Sequence, residues 1–188
     1  MWWRNSRVAL GHASRLSVVF GLAGLCAACF QPLYATKSLT GERSIGAALA
    51  QVQIERVPAP NGTPDSRIAV EIQNQLDSEL NGGGGMVSPT HKLAVRFTTG
   101  RSSIITDITT GRVESEISGI DSTFTLTELA TGKVVLNGRT FSRVSSDYPG
   151  QQQRFARVRA RLDAEDRAAK VIAENIRTRL ASFFVAGT

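Results

Sequence analysis

Cysteine and histidine are nearly absent from this chain, with two of each in 188 residues: Cys26, Cys29, His12 and His91. Only His91 lies beyond residue 29. A structural or catalytic zinc site draws three or four ligands from such side chains, and acyl-transfer catalysis of the Ser-His-Asp or Cys-His kind needs a histidine base beside its nucleophile. No catalytic residues and no metal are therefore expected. Aromatics make up 6% of the sequence and do not alternate with a dense basic stretch, so a nucleic-acid partner is not expected either. Long apolar runs are missing too. A membrane-spanning helix takes about 20 apolar residues, whereas Leu16–Leu25 covers half that length.

Acidic residues are absent from the first 28 positions, where the basic ones are Arg4, Arg7 and Arg15. A basic opening, the short apolar run and then Ala27 and Ala28 before Cys29 form the layout of a bacterial export signal. Small residues directly before a cysteine further fit a lipoprotein signal. In that case residues 1–28 are removed and Cys29 becomes the acylated N-terminus, carrying covalent diacylglyceryl and N-acyl lipid. Cys26 is the alternative acylation site, though bulky Leu25 precedes it. An ordinary secretory signal holding two incidental apolar cysteines is the plainer alternative. Two or more acyl chains give stable anchoring where one does not. With Phe30 and Gln31 after the cysteine and no Asp, the expected location is the outer membrane, on its periplasmic side.

Cleavage before Cys29 leaves 160 residues, with 19 basic against 16 acidic side chains, a net charge of +3. That length suits one domain with a real core. Residues 29–48, with Pro32, Gly41 and Gly46 and little periodicity, read as a lipidated tether, and residues 49–188 as the single domain. Leu49–Val57 alternates apolar and polar, the period of a half-buried strand, and Pro58 and Pro60 end it. Ile68, Ile72, Leu76 and Leu80 recur every four residues, which predicts a helix from about Asp65 to Asn81 with Asp65 or Ser66 as its cap. Gly82–Gly85 stop that helix. They do not form a phosphate-cradling loop, because no Gly-Lys-Ser/Thr follows and such a loop precedes its helix.

His91–Arg143 reads as a β-region. Thr98-Thr99-Gly100-Arg101 recurs as Thr109-Thr110-Gly111-Arg112, and Thr131-Gly132 supplies a further turn signal. A two-residue turn at Thr110-Gly111 sets Phe97 opposite Phe124 and Val95 opposite Leu126, with Gly100 and Gly119 near one level. The opposite face then carries Lys92, Arg96, Thr123, Thr125 and Thr127. It is either a solvated sheet surface or one that meets a partner or an anionic ligand. The pairing around Thr131-Gly132 stays open.

From Gln151 a second helical stripe runs through Phe155, Val158, Leu162, Ala169, Ile172, Ile176, Leu180 and Phe183, as one long helix or two with a kink near Asp163. Asp163 with Arg167 and Asp166 with Lys170 are spaced for ion pairs. Arg154, Arg157, Arg159 and Arg161 crowd the start of this helix, where the dipole disfavours cations. They form a solvated face, with Arg stems covering apolar surface, or an electrostatic contact with anionic headgroups, sugar phosphates or an acidic partner. Strand, helix, three strands, helix predicts an α+β two-layer sandwich, two helices packed on one face of a four-stranded mixed sheet, the first strand joining in parallel.

Two stretches resemble a known family. Cys29-Phe30-Gln31-Pro32-Leu33-Tyr34 is similar to the Cys-Gly-Phe-x-Pro-Leu-Tyr start of the LPS-assembly lipoproteins, LptE, without their glycine. Ala164-Glu165-Asp166-Arg167-Ala168-Ala169-Lys170, followed by Ile176–Leu180, resembles the C-terminal helix of alphaproteobacterial versions. The resemblance implies a non-enzymatic lipoprotein that plugs the LptD outer-membrane β-barrel, assists its assembly and helps insert lipopolysaccharide into the outer leaflet. Arg96, Arg112, Lys133 and Arg139 are the candidates for lipopolysaccharide contact, since guanidinium matches phosphate geometry. The alternative is an auxiliary lipoprotein of an ABC-type lipid transport system. A periplasmic hydrolase is the weakest reading, because the acid, base and nucleophile sets are missing.

Overall fold

The computed structural model describes residues 45–82, 88–106, 108–109, 113–147 and 154–186. Along them run α1 (Ile45–Leu49), β1 (Val52–Ile54), α2 (Pro64–Asn81), β2 (His91–Thr106), β3 (Val113–Glu128), β4 (Val134–Asp147) and α3 (Arg154–Ala186). The strands form one sheet in the order β1-β2-β3-β4. β1 runs parallel to β2 and the other neighbours are antiparallel. This is the expected mixed sheet with both long helices on one face, plus one short helix that periodicity did not reveal.

β1 is shorter than the alternation from Leu49 to Val57 predicts. Leu49 belongs to α1 and reaches the core from there, and α1 begins inside the stretch read as tether. After Ile54 the Glu55 amide still donates to Leu93 O at 2.8 Å. The chain then turns away towards Pro58, and the Val57 amide donates to Gln73 Oε1 on α2 instead.

α2 starts one residue earlier than predicted, because Pro64 has a helix-compatible φ and no amide to leave unpaired. Its N-cap is Thr63 rather than Asp65 or Ser66, and no side chain makes the capping bond. The Ser66 hydroxyl donates back to Thr63 O, and Asp65 accepts from the Thr99 hydroxyl on β2. Gly82 ends the helix in the left-handed region at φ 60°, its amide bonded to Ser78 O. The stripe behaves as predicted: Ile68, Ile72, Leu76 and Leu80 are all buried. Each such side chain contributes about 1.5–3 kcal/mol on leaving water.

The β2–β3 register differs from the two-residue-turn expectation. Val95 faces Phe124, Leu93 faces Leu126 and Phe97 faces Ser122. The last pair among the described residues is Thr106↔Val113, with shifts on either side of Ile105, and Thr110-Gly111, the expected turn, lies outside the described residues. The displacement is two residues, which leaves every side chain on its expected face, so the apolar pattern alone cannot detect it. Gly100 and Gly119 do pair directly.

Between β3 and β4, Leu126 faces Leu136 and Phe124 faces Gly138, with a bulge between Leu126 and Thr127. Gly132 makes the turn at φ 68°, its amide bonded to Glu128 O. Gly138 admits the Phe124 ring, since a Cβ there would lie 2.5 Å from Phe124 Cζ.

α3 is a single uninterrupted helix of 33 residues, about 50 Å long at 1.5 Å per residue. Its core-facing side is Ala164, Ala168, Ala169, Ile172, Ala173, Ile176, Leu180 and Ala181, all fully buried. The alanines let it lie close over the small inward side chains Ser118, Ser122, Thr140, Ser142 and Ser146 of β3 and β4. Phe155 and Val158 depart from the predicted stripe: they are exposed, at 89% and 45%, because the first turns of α3 extend past the packed part of the sheet. The Asp163–Arg167 pair forms at 2.8 Å. Lys170 pairs with Glu174 rather than Asp166, and Asp166 turns to Arg67 on α2.

Candidate functional site

Among the described residues, helices cover one face of the sheet, so alternate residues along β2, β3 and β4 point to a face on which no described helix lies. Register brings Arg96, Thr123 and Arg139 into one row across three strands on that face. With neighbouring strands about 4.8 Å apart, the two arginine Cα atoms stand roughly 10 Å from each other. Thr125 and Asn137 form the next row, and Lys92 pairs with Thr127 beyond it. Arg96, Thr123 and Arg139 are exposed. Neither arginine has an ion-pair partner among the described residues, whereas Lys92 lies 3.8 Å from Glu55.

A third arginine on this face was not among the sequence candidates. Arg143 donates to Asp121 Oδ2 at 2.7 Å and to the carbonyls of Ile120 and Ser142. Its guanidinium sits 5.7 Å from the Phe141 ring centroid, in cation–π range. The side chain lies flat because position 119 is glycine: a Cβ there would come within 3.0 Å of Arg143 Cδ. Strict alternation of Arg139, Phe141 and Arg143 is the signal that would have found it, once the face of β4 was known.

The four sequence candidates are not gathered at one point. Arg96 and Arg139 share a row. Lys133 lies in the β3–β4 turn, its amide donating to Thr131 Oγ1 at 3.3 Å. That is five to six residues along the strand, or about 15–20 Å away at the usual rise. Arg112 lies outside the described residues, as does Cys29.

Beneath the sheet, a second charged cluster joins the two long helices to β2. Glu165 of α3 is 4% exposed. It accepts hydrogen bonds from Arg67 of α2 and from Arg101 of β2, the latter at 3.4 Å, with Arg161 of α3 at 3.9 Å. Arg67 also donates to Asp166. Burial by itself lowers the Arg67 pKa, but the bonds to Asp166 and Glu165 outweigh it and leave it raised, so the guanidinium stays charged. Arginines here satisfy a buried carboxylate and tie three elements together, a structural role. Sequence spacing had no way to expose it, since Arg67 and Glu165 are 98 residues apart.

His91, the one histidine described, starts β2 and packs edge-on against Phe184 of α3, ring centroids 5.3 Å apart. Its Nδ1 lies 2.9 Å from the Thr90 hydroxyl. Burial lowers its pKa, only partly countered by Glu128.

The helix-free face thus offers two unpaired guanidinium groups, with a third held across Gly119, amid threonine and asparagine. Guanidinium groups so placed are able to engage anions through charge-assisted, bidentate hydrogen bonds.

No protein-family model and no curated protein matches the chain. Solved structures do. A candidate lipoprotein from Caulobacter crescentus CB15 aligns with TM-score 0.59 at 19% identity, over 77% of this chain and 97% of that one. A minor lipoprotein from Acinetobacter baumannii aligns with TM-score 0.49 at 14% identity, over 70% and 90%. Rare lipoprotein B from Shewanella oneidensis aligns with TM-score 0.48 at 15% identity, over 72% and 96%. The structural neighbours are bacterial lipoproteins at low identity, and what the first of them shares with this chain is the fold.

Proposed function

We propose that this chain is a non-enzymatic outer-membrane lipoprotein of the LptE kind, anchored through acylated Cys29 on the periplasmic side. It partners the LptD β-barrel as a plug and presents its helix-free sheet face to lipopolysaccharide. The observation that carries the ligand reading is the Arg96–Thr123–Arg139 row: two exposed guanidinium groups with no carboxylate partner among the described residues, on an open polar face. Phosphorylated glycolipid supplies the anions that such a row is shaped to meet, and a threonine-rich face suits the wet lumen of a large barrel. The export signal and the small residues before Cys29 support the anchor.

Two measurements test the proposal. Affinity purification of the full chain from solubilised outer membrane is expected to recover a large β-barrel protein, and recovery of inner-membrane transporter components alone would overturn the LptD assignment. Reversing both charges, Arg96→Glu with Arg139→Glu, is expected to weaken lipopolysaccharide binding by about tenfold or more, since a hydrogen bond to a charged group contributes about 1.5–3 kcal/mol. Both side chains are exposed, so the melting transition stays in place. Unchanged lipopolysaccharide binding in that double variant rules out this face as the ligand site.

A further inference from the structure

Beside the edge of the sheet, where the chain leaves β1 and crosses towards α2, lies an open groove of ≈ 600 Å³. This falls within the range of about 300–1,000 Å³ usual for small-ligand sites. Its apolar wall is aliphatic throughout, made of Ile54, Val57, Ala59, Ala69 and Val70, and two arginines, Arg56 and Arg67, line it as well. The two differ in what they have left to offer. Arg67 is engaged by Glu165 and Asp166, whereas Arg56 is exposed and has no ion-pair partner among the described residues. Val70 is 59% exposed although it sits on a helix whose opposite stripe builds the core.

We propose that this groove binds a single alkyl chain bearing an anionic headgroup, a fatty acid or its phosphorylated equivalent, with the chain along Ile54, Ala59 and Val70 and the head on Arg56. An aliphatic wall without a ring to stack on favours a flexible alkyl chain over a flat aromatic ligand. One guanidinium without an ion-pair partner among the described residues, at a groove that Asn61, Ser66 and Gln73 also line, favours a ligand with a single anionic end, since a neutral head forgoes the charge-assisted hydrogen bonds it offers. Charge also separates this ligand from the lipid expected on Cys29, whose thioether-linked diacylglyceryl and amide-linked acyl groups carry no anion. The site is formed by β1, the segment after it and α2, and is independent of the Arg96–Arg139 face.

The test uses the full chain in membranes, labelled with palmitic acid that carries a mid-chain diazirine. Adducts are expected on peptides spanning residues 54–73. Excess palmitate should suppress them by about tenfold, a difference of 1.4 kcal/mol, and methyl palmitate should not. Arg56→Gln is expected to erase the distinction between acid and ester, and Val70→Trp to block labelling. Both positions are exposed, so an unchanged melting curve verifies each fold. Adducts mapping elsewhere, equal competition by the ester against the native chain, or undiminished labelling of Val70→Trp each overturn the proposal. Arg96→Glu with Arg139→Glu leaves this labelling unchanged, so failure of the sheet-face reading and failure of the groove are told apart.

Discussion

Single residues make the closest fits in this fold. Gly138 exists to admit Phe124, whose ring is 2% exposed and has no room to withdraw. Gly138→Ala is expected to cost about 1–3 kcal/mol, the usual range for overpacking, seen as a lower denaturant midpoint with an unchanged slope. Gly119→Ala meets the flexible end of Arg143 instead, so it loosens the guanidinium rather than the core. His91 links stability to pH. Its folded pKa is lowered from the ordinary 6.5, so the native state holds fewer protons than the unfolded chain just below that value. Stability from this group is full above about pH 6.5 and is lost as pH falls below it. Denaturant midpoints at pH 7.5 and 5.5 should therefore differ more for the native chain than for His91→Phe. Burial of this kind depends on neighbours distant in sequence, which is why neither Phe124 over Gly138 nor His91 against Phe184 was legible beforehand.

Among elements, α3 divides into a packed part and an overhang, and the two predict opposite responses. Leu180 is fully buried, and Leu180→Ala is expected to destabilise by about 2–5 kcal/mol. Phe155→Ser, in the overhang, should change stability by less than about 0.5 kcal/mol. Paired urea melts check both. Periodicity placed the two residues in one stripe, because helical spacing records which residues share a side and not where the neighbouring sheet ends. Strand pairing shows the same division. Two-fold alternation assigned Lys92, Arg96 and Thr123 to the open face correctly, yet it is blind to a slip of two residues, so Phe97 came to face Ser122 rather than Phe124. The α2 stripe was legible in full, because four isoleucine and leucine residues at one spacing have a single way to be buried together. The Glu165 cluster was not, since its charges converge from α2, β2 and α3 only after the layers have packed.

For the molecule as a whole, the two ends of the sandwich differ. α1 and the start of β1 adjoin His91, which touches Phe184 near the end of α3. The chain therefore arrives at one pole, and the arginine-rich start of α3 lies at the other. Cys29→Ser is expected to remove lipid labelling and release the protein from membranes, as fractionation would show; persistent labelling would instead point to Cys26. Fifteen residues separate Cys29 from Ile45, a span of at most about 50–55 Å when fully extended. That matches the roughly 50 Å length of α3. On the proposed anchoring at Cys29, chain length alone therefore caps how far Ile45, and with it the pole of the sheet at His91, stands from the membrane.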